Sequence, residues 1–195
     1  MTRRIVRLFL GALVAMASFL PQLVHADGSA WSPPGPSVGA AFGNPLSLED
    51  QTGRKRSLAD LSGTHGFTLV FVRSADWCPF CRRQLGELEK RAAAFREAGF
   101  PIVSVSVDTV ALIQTFATAA HISYTMLADP TGKIAQDIGI RDPQYPVGSF
   151  AFGVPEPGIF VLAQDGTILA KFFVQGYKVR PDPDAVLTAV RALAK

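Results

Sequence analysis

Cys78 and Cys81 are the only cysteines in a chain of 195 residues, separated by Pro79 and Phe80. The pair lies where an apolar run, Phe67 to Val72, gives way to a helical pattern. A thiolate at a helix start faces the positive end of the backbone dipole and several free N–H groups, so its charged form is stabilised. Pro79 suits the first helical turn, where its missing N–H is of no consequence. Cys81 falls one turn later, on the face of Leu85, Leu88, Ala92 and Phe95, and that stripe is expected to be buried. The spacing predicts an asymmetric pair, with Cys78 exposed and activated and Cys81 shielded beneath it. Such a pair attacks a disulfide through Cys78 and releases the mixed disulfide through Cys81. A purely structural bridge across so short a loop would constrain the unfolded chain little. A zinc site would want four ligands, and there is no second Cys-x-x-Cys.

The elements that must position this pair can be read outward from it. Phe67 to Val72 is apolar on both faces, as a buried central strand should be. The helix opened by the cysteines is expected to run to about Ala98, with Gly99 as a left-handed cap. Ile102 to Val107 reads as a second buried strand. Asp108 or Thr109 then caps a helix with Leu112, Ile113, Phe116 and Ala120 on its inner side. Tyr124 to Ala128 extends again, and a short helix around Lys133 to Ile138 stops at Gly139. Upstream, Leu46 to Leu61 reads as a hairpin turning at Thr52-Gly53, followed by a helical turn. Downstream, Ile159 to Ala163 and Ile168 to Val174 flank the turn Gln164-Asp165-Gly166-Thr167. Pro181-Asp182-Pro183-Asp184 opens a last helix. The alternation implies an α/β domain over 46–195, with a mixed sheet, helices on both faces and an N-terminal β-hairpin extension.

Two segments precede that domain. Arg3, Arg4 and Arg7, the apolar stretch Leu8 to Leu20 and the small residues around Ala26 read as a signal peptide over 1–26. The alternative is an uncleaved anchor, although Ile5 to Leu20 is short for a membrane span. Cleavage after Ala26 would leave 16 basic against 16 acidic residues, so the basic balance belongs to the signal. Nucleic-acid binding then loses its compositional support. The expected location is the periplasm or beyond it, or a membrane-anchored position facing the periplasm. Residues 27–45 are rich in Gly and Pro and read as a tether or extended arm, with Trp31 and Phe42 as docking points.

With these residues in place, the chain resembles the thioredoxin superfamily. More narrowly it is similar to the peroxiredoxin-like branch of alkyl hydroperoxide reductases and thiol-specific antioxidant proteins. Ser74-Ala75-Asp76-Trp77-Cys78-Pro79-Phe80-Cys81 carries the likeness, and Leu127 to Lys133 and Val154 to Val161 extend it. The resemblance implies a thioredoxin fold and a cis-proline before the last hairpin, matched best by Pro157 and next by Pro155. Two departures stand out. Peroxiredoxins place a Thr or Ser three residues before the first Cys and a Pro four further back; here these are Ala75 and Phe71, with Ser74 out of register. Thioredoxins carry a buried Asp six residues before the first Cys, and here that residue is Val72.

Three functions compete. The first is a thiol–disulfide oxidoreductase with a redox-active Cys78/Cys81 pair, supported by Trp77, Pro79, Pro157 and Arg73 and needing no cofactor. Its partners would be a disulfide-bearing protein and a thiol electron donor. The second is a thiol peroxidase in which Cys78 forms a sulfenic acid and Cys81 closes the disulfide. The resemblance would then ask Arg141 or Arg180 for a cation near sulfur, although a solvated loop position is the plainer reading of each. The third is copper delivery, with His65 and His121 as the histidines left after cleavage. Tyr145, Phe150 and Phe152, in the loop Arg141 to Pro157, are expected to pack beneath it, a partner-recognising lid being the other reading.

Overall fold

The computed structural model describes residues 31–195; the signal-like segment 1–26 lies outside the described residues. Seven strands form one sheet: β1 (Leu48–Asp50), β2 (Lys55–Arg56), β3 (Gly66–Phe71), β4 (Ile102–Ser106), β5 (Thr125–Ala128), β6 (Gly158–Ala163) and β7 (Ile168–Phe173). Six helices accompany them: α1 (Leu58–Leu61), α2 (Pro79–Glu89), α3 (Ala92–Glu97), α4 (Val110–Ala119), α5 (Lys133–Asp137) and α6 (Pro183–Leu193). The strand order is β2-β1-β5-β4-β3-β6-β7. β3, β4 and β5 run parallel, while β1 and β6 join them antiparallel and β7 pairs antiparallel with β6. This is the mixed, helix-covered sheet that the strand and helix alternation demands.

Alternation along each buried strand divides the interior in two. Val70, Met126, Ala128, Ile159 and Val161 face a cluster that holds both cysteines and the inner sides of α2, α3, α4 and α6. Phe67, Leu69, Phe71, Val103, Val105, Leu127, Phe160 and Leu162 face a second cluster with Leu61, Ile134, Ile138 and Phe42. The pair therefore belongs to one face of the sheet, and α1, α5 and the arm to the other.

Local signals place most boundaries. Ser57 caps α1 in a reciprocal capping box with Asp60, Asp182 caps α6, and Gly99 takes φ 78. Two expectations need correction. The helix after the cysteines breaks at Lys90–Arg91, where Arg91 bonds with Leu88 O instead of continuing the i−4 ladder. Its guanidinium grips Asp184 at the head of α6 at 2.6 Å. Leu112 points outward at 39 % exposure while Ala117 takes the inner position. The arm docks, with Phe42 as the expected docking point: Gly39 N–H donates to Ile168 O, Ile168 N–H to Ala40 O, and Phe42 is buried. Among the described residues no helix is long and apolar enough to cross a membrane.

Candidate active site

β3 ends at Phe71, and the loop 72–77 that follows is held by hydrogen bonds that its residue types alone do not announce. Asp108, just beyond β4, is buried and accepts at three points: Ser74 Oγ at 2.7 Å, Ala75 N–H at 2.6 Å and Ser106 Oγ at 2.8 Å. Ser74 Oγ in turn accepts the N–H groups of Asp76 at 3.0 Å and Trp77 at 3.1 Å. The loop is thereby fixed up to the residue before Cys78. Asp108 was a candidate cap for α4; Thr109 occupies that cap position with no side-chain bond, because Asp108 is turned toward the loop instead.

Cys78 is the N-cap of α2, and its Sγ accepts the Cys81 N–H at 3.3 Å. Pro79 occupies the first turn, as its missing N–H allows. A sulfur anion here receives a backbone N–H and the helix dipole together. The two cysteines form a disulfide across a Cα–Cα distance of 5.3 Å, within the usual span for such bridges. Tyr124 braces the helix from below, its hydroxyl donating to Leu85 O at 3.0 Å. Burial, and then the charge of Glu89, push that hydroxyl above its ordinary pKa, so it remains a donor.

The expected asymmetry in exposure is absent from this oxidised pair: Cys78 is 2 % exposed and Cys81 0 %. Cys78 turns its sulfur in toward the Cys81 N–H. Above Cys81, Arg180 from the segment between β7 and α6 places Nη2 3.4 Å from Sγ. Arg180 is thus no free loop arginine. It also donates to Tyr177 O and Val179 O. Burial, and then the charges of Arg73 and Arg83, pull its pKa down to about 10. Arg141 lies exposed against the Phe152 ring, 5.2 Å from its centroid.

Arg73, expected beside the pair, is buried among rings: Trp77 at 5.2 Å, Tyr145 at 4.7 Å and Tyr177 at 4.6 Å. Among the described residues it has no carboxylate partner and its Nε has no hydrogen-bond acceptor. The ring faces offset part of the cost of desolvating this cation. Trp77 remains 37 % exposed and meets Phe150 edge-on at 5.4 Å. Phe150 itself is 83 % exposed, which overturns its expected packing beneath the loop. Pro157 is buried directly before β6, whose Gly158 pairs with Phe71, so it sits at the sheet end from which the Cys loop departs. Its peptide bond is trans, the form that most X-Pro bonds take, and the expectation of a cis bond is corrected. Arg82 and Arg83 are exposed on α2, against Phe116 and Phe80 respectively. Of the two histidines among the described residues, His65 lies near Phe100, and His121 takes a left-handed φ of 53 after α4.

Residues 39–171 match the family model described as the AhpC/TSA family. The chloroplastic peroxiredoxin Q of Gentiana triflora is 28 % identical over 123 residues, covering 63 % of this chain and 53 % of the relative. That of Sedum lineare is 29 % identical over 125 residues, covering 64 % and 62 %. The chain thus spans roughly half to three-fifths of the length of these curated relatives. Among solved structures, peroxidoxin BcpB from Mycobacterium tuberculosis superposes with a TM-score of 0.66 at 26 % identity, over 82 % of this chain and 96 % of that one. A peroxiredoxin Q structure from Xanthomonas campestris gives 0.63 at 22 % identity, over 76 % and 90 %, a likeness of fold.

Proposed function

This chain belongs to the AhpC/TSA family, and from that premise we propose that it is a thiol peroxidase working through Cys78 and Cys81. The observation that carries the reading is the pair itself. One sulfur caps α2 and receives a backbone N–H, and its partner lies one turn on, against the Arg180 guanidinium. The Cys78 thiolate attacks a peroxide oxygen, the O–O bond breaks, and the departing oxygen takes a proton to leave as alcohol or water. Cys78 is then a sulfenic acid. The Cys81 thiolate attacks its sulfur, hydroxide leaves as water, and the disulfide forms. Two electrons from a thiol donor restore the pair. The curated relatives, named as peroxiredoxins, support peroxide as the oxidant. The basic, then apolar, then small-residue order of residues 1–26 supports export to the bacterial envelope.

A specific observation favours a second reading. Ala75 stands, fully buried, where peroxiredoxins place a hydroxyl that holds peroxide. A Cys-x-x-Cys pair without that hydroxyl suits exchange with a protein disulfide. Pre-reduced protein mixed with hydrogen peroxide or an alkyl hydroperoxide separates the two. The peroxidase reading expects consumption well above that of a free thiol, abolished in Cys78→Ser. In Cys81→Ser it expects a single turnover that leaves a dimedone-reactive sulfenic acid on Cys78. Wild-type consumption no faster than free thiol, with disulfide exchange intact, would hand the function to the oxidoreductase.

A further inference from the structure

Between Arg83, Gln84 and Glu87 of α2 and the segment 178–183 lies a cavity of about 350 Å³, and Arg180 in its wall joins it to the disulfide. Gln84 lines it, only 4 % exposed, and neither its Nε2 nor its Oε1 has a hydrogen-bond partner. A buried side-chain amide with both ends open is rare, because each end gave up water to get there. Arg180 lines the same cavity with an unpartnered Nε, while its Nη2 touches Cys81 Sγ at 3.4 Å. Arg83 and Lys178 add two further cations.

The carboxylates on the rim are already engaged. Glu87 accepts from Lys90 at 2.7 Å and from Arg91 at 3.4 Å, and Asp182 accepts the Asp184 N–H at 3.1 Å. Three cations, Arg83, Lys178 and Arg180, thus face Glu87, which is held by Lys90 and Arg91, and Asp182, which caps α6, so positive charge is in excess next to an amide that offers both donor and acceptor ends. Guanidinium groups complement carboxylates, and the open amide complements a peptide bond. The position against Cys81 Sγ selects a ligand with a sulfur of its own.

We propose that this cavity seats the electron donor, a low-molecular-weight thiol carrying a carboxylate and a peptide amide, with its sulfur directed at Cys81. This rests on the thiol-redox reading above and goes beyond it. The donor's carboxylate draws the Arg180 guanidinium off Cys81 and uncovers the sulfur. The donor thiolate then attacks Cys81 Sγ, the S–S bond breaks, and its electron pair departs on Cys78. That is the favourable leaving group, because a thiolate on Cys78 is received by the N-terminus of α2. A second donor thiolate attacks the donor sulfur of the mixed disulfide, giving donor disulfide and the Cys81 thiolate, which takes up a proton. Two donor thiols are oxidised as one protein disulfide is reduced.

The test is calorimetric titration of the oxidised full-length protein with S-methylglutathione, which carries the carboxylates and amides but no thiol. Saturable one-to-one binding is expected, weakened about tenfold or more in Gln84→Leu and in Arg83→Glu. The second variant lies on the exposed side of α2 and serves if the first fails to fold. In parallel, glutathione should reduce the wild-type disulfide faster than 2-mercaptoethanol does, and Gln84→Leu should lose that preference. Absence of saturable binding to the wild type, or equal binding by both variants, overturns the site. Because the titration needs no turnover, a protein that binds the blocked tripeptide yet consumes no peroxide retains the site and loses the peroxidase reading. One that consumes peroxide without binding the tripeptide loses the site alone.

Discussion

A carboxylate as deeply buried as Asp108 needs its lone pairs taken up, and here all three of its donors belong to the Cys loop or to the strand beside it. Substituting Ala strands the Ala75 N–H and two hydroxyls in the interior. The expected loss is about 3 kcal/mol or more, the scale for removing one member of a buried charged network. Asn distinguishes charge from shape. Its single oxygen can serve Ala75 N–H and Ser106, but its NH₂ then meets Ser74 Oγ, which already accepts twice. The stability loss in Asp108→Asn should therefore be smaller than in Asp108→Ala, yet both should slow oxidation of Cys78. Sub-ångström placement of the attacking sulfur decides that rate. Urea unfolding and stopped-flow oxidation measure the two effects separately. A wild-type oxidation rate in Asp108→Ala would mean that the loop is held some other way.

At the scale of elements, what was legible in the sequence was local. The apolar run of β3, the Cys-Pro start of α2, Gly99 and the Asp165-Gly166 turn each carry their signal within a few residues. The break between α2 and α3 carries none: no Gly or Pro lies at residues 87–95. Its partner, Asp184, is 93 residues away. Asp108 reads as a cap because two of its partners, Ser74 and Ala75, lie 34 and 33 residues away, and Leu112 reads as buried because a 3.6-residue period admits a neighbouring stripe. Gly66 belongs with these hidden cases. It opens β3 at φ 145, and a Cβ there would run into Leu162 O on β6. That region of backbone space is essentially confined to glycine, and occupying it costs on the order of 1–3 kcal/mol. Gly66→Ala should lose at least that much in chemical denaturation, since the β3–β6 ladder must also part. Unchanged stability would show that the strand start can shift without cost.

Across the whole molecule, β7 is one of the two outer strands of the sheet, and an open edge invites pairing with another chain. The arm removes part of that edge by bridging Ala41 to Thr167. Lys171 Nζ on β7 secures it further, donating to Pro33 O, Gly35 O and Pro36 O at 3.0–3.1 Å. Phe42 then anchors the arm by packing against Phe71 and Phe160. This happens in the second cluster, on the sheet face opposite the cysteines. Phe42→Ala should therefore separate stability from chemistry. Truncating a buried Phe costs about 3–5 kcal/mol, so the midpoint of unfolding should fall and proteases should cut within residues 32–45 sooner. Well below that midpoint, the rate at which reduced Cys78 is oxidised should stay near that of the wild type, because β3 stands between the lost ring and the pair. An oxidation rate that fell along with stability would show that the two faces of the sheet are coupled through β3.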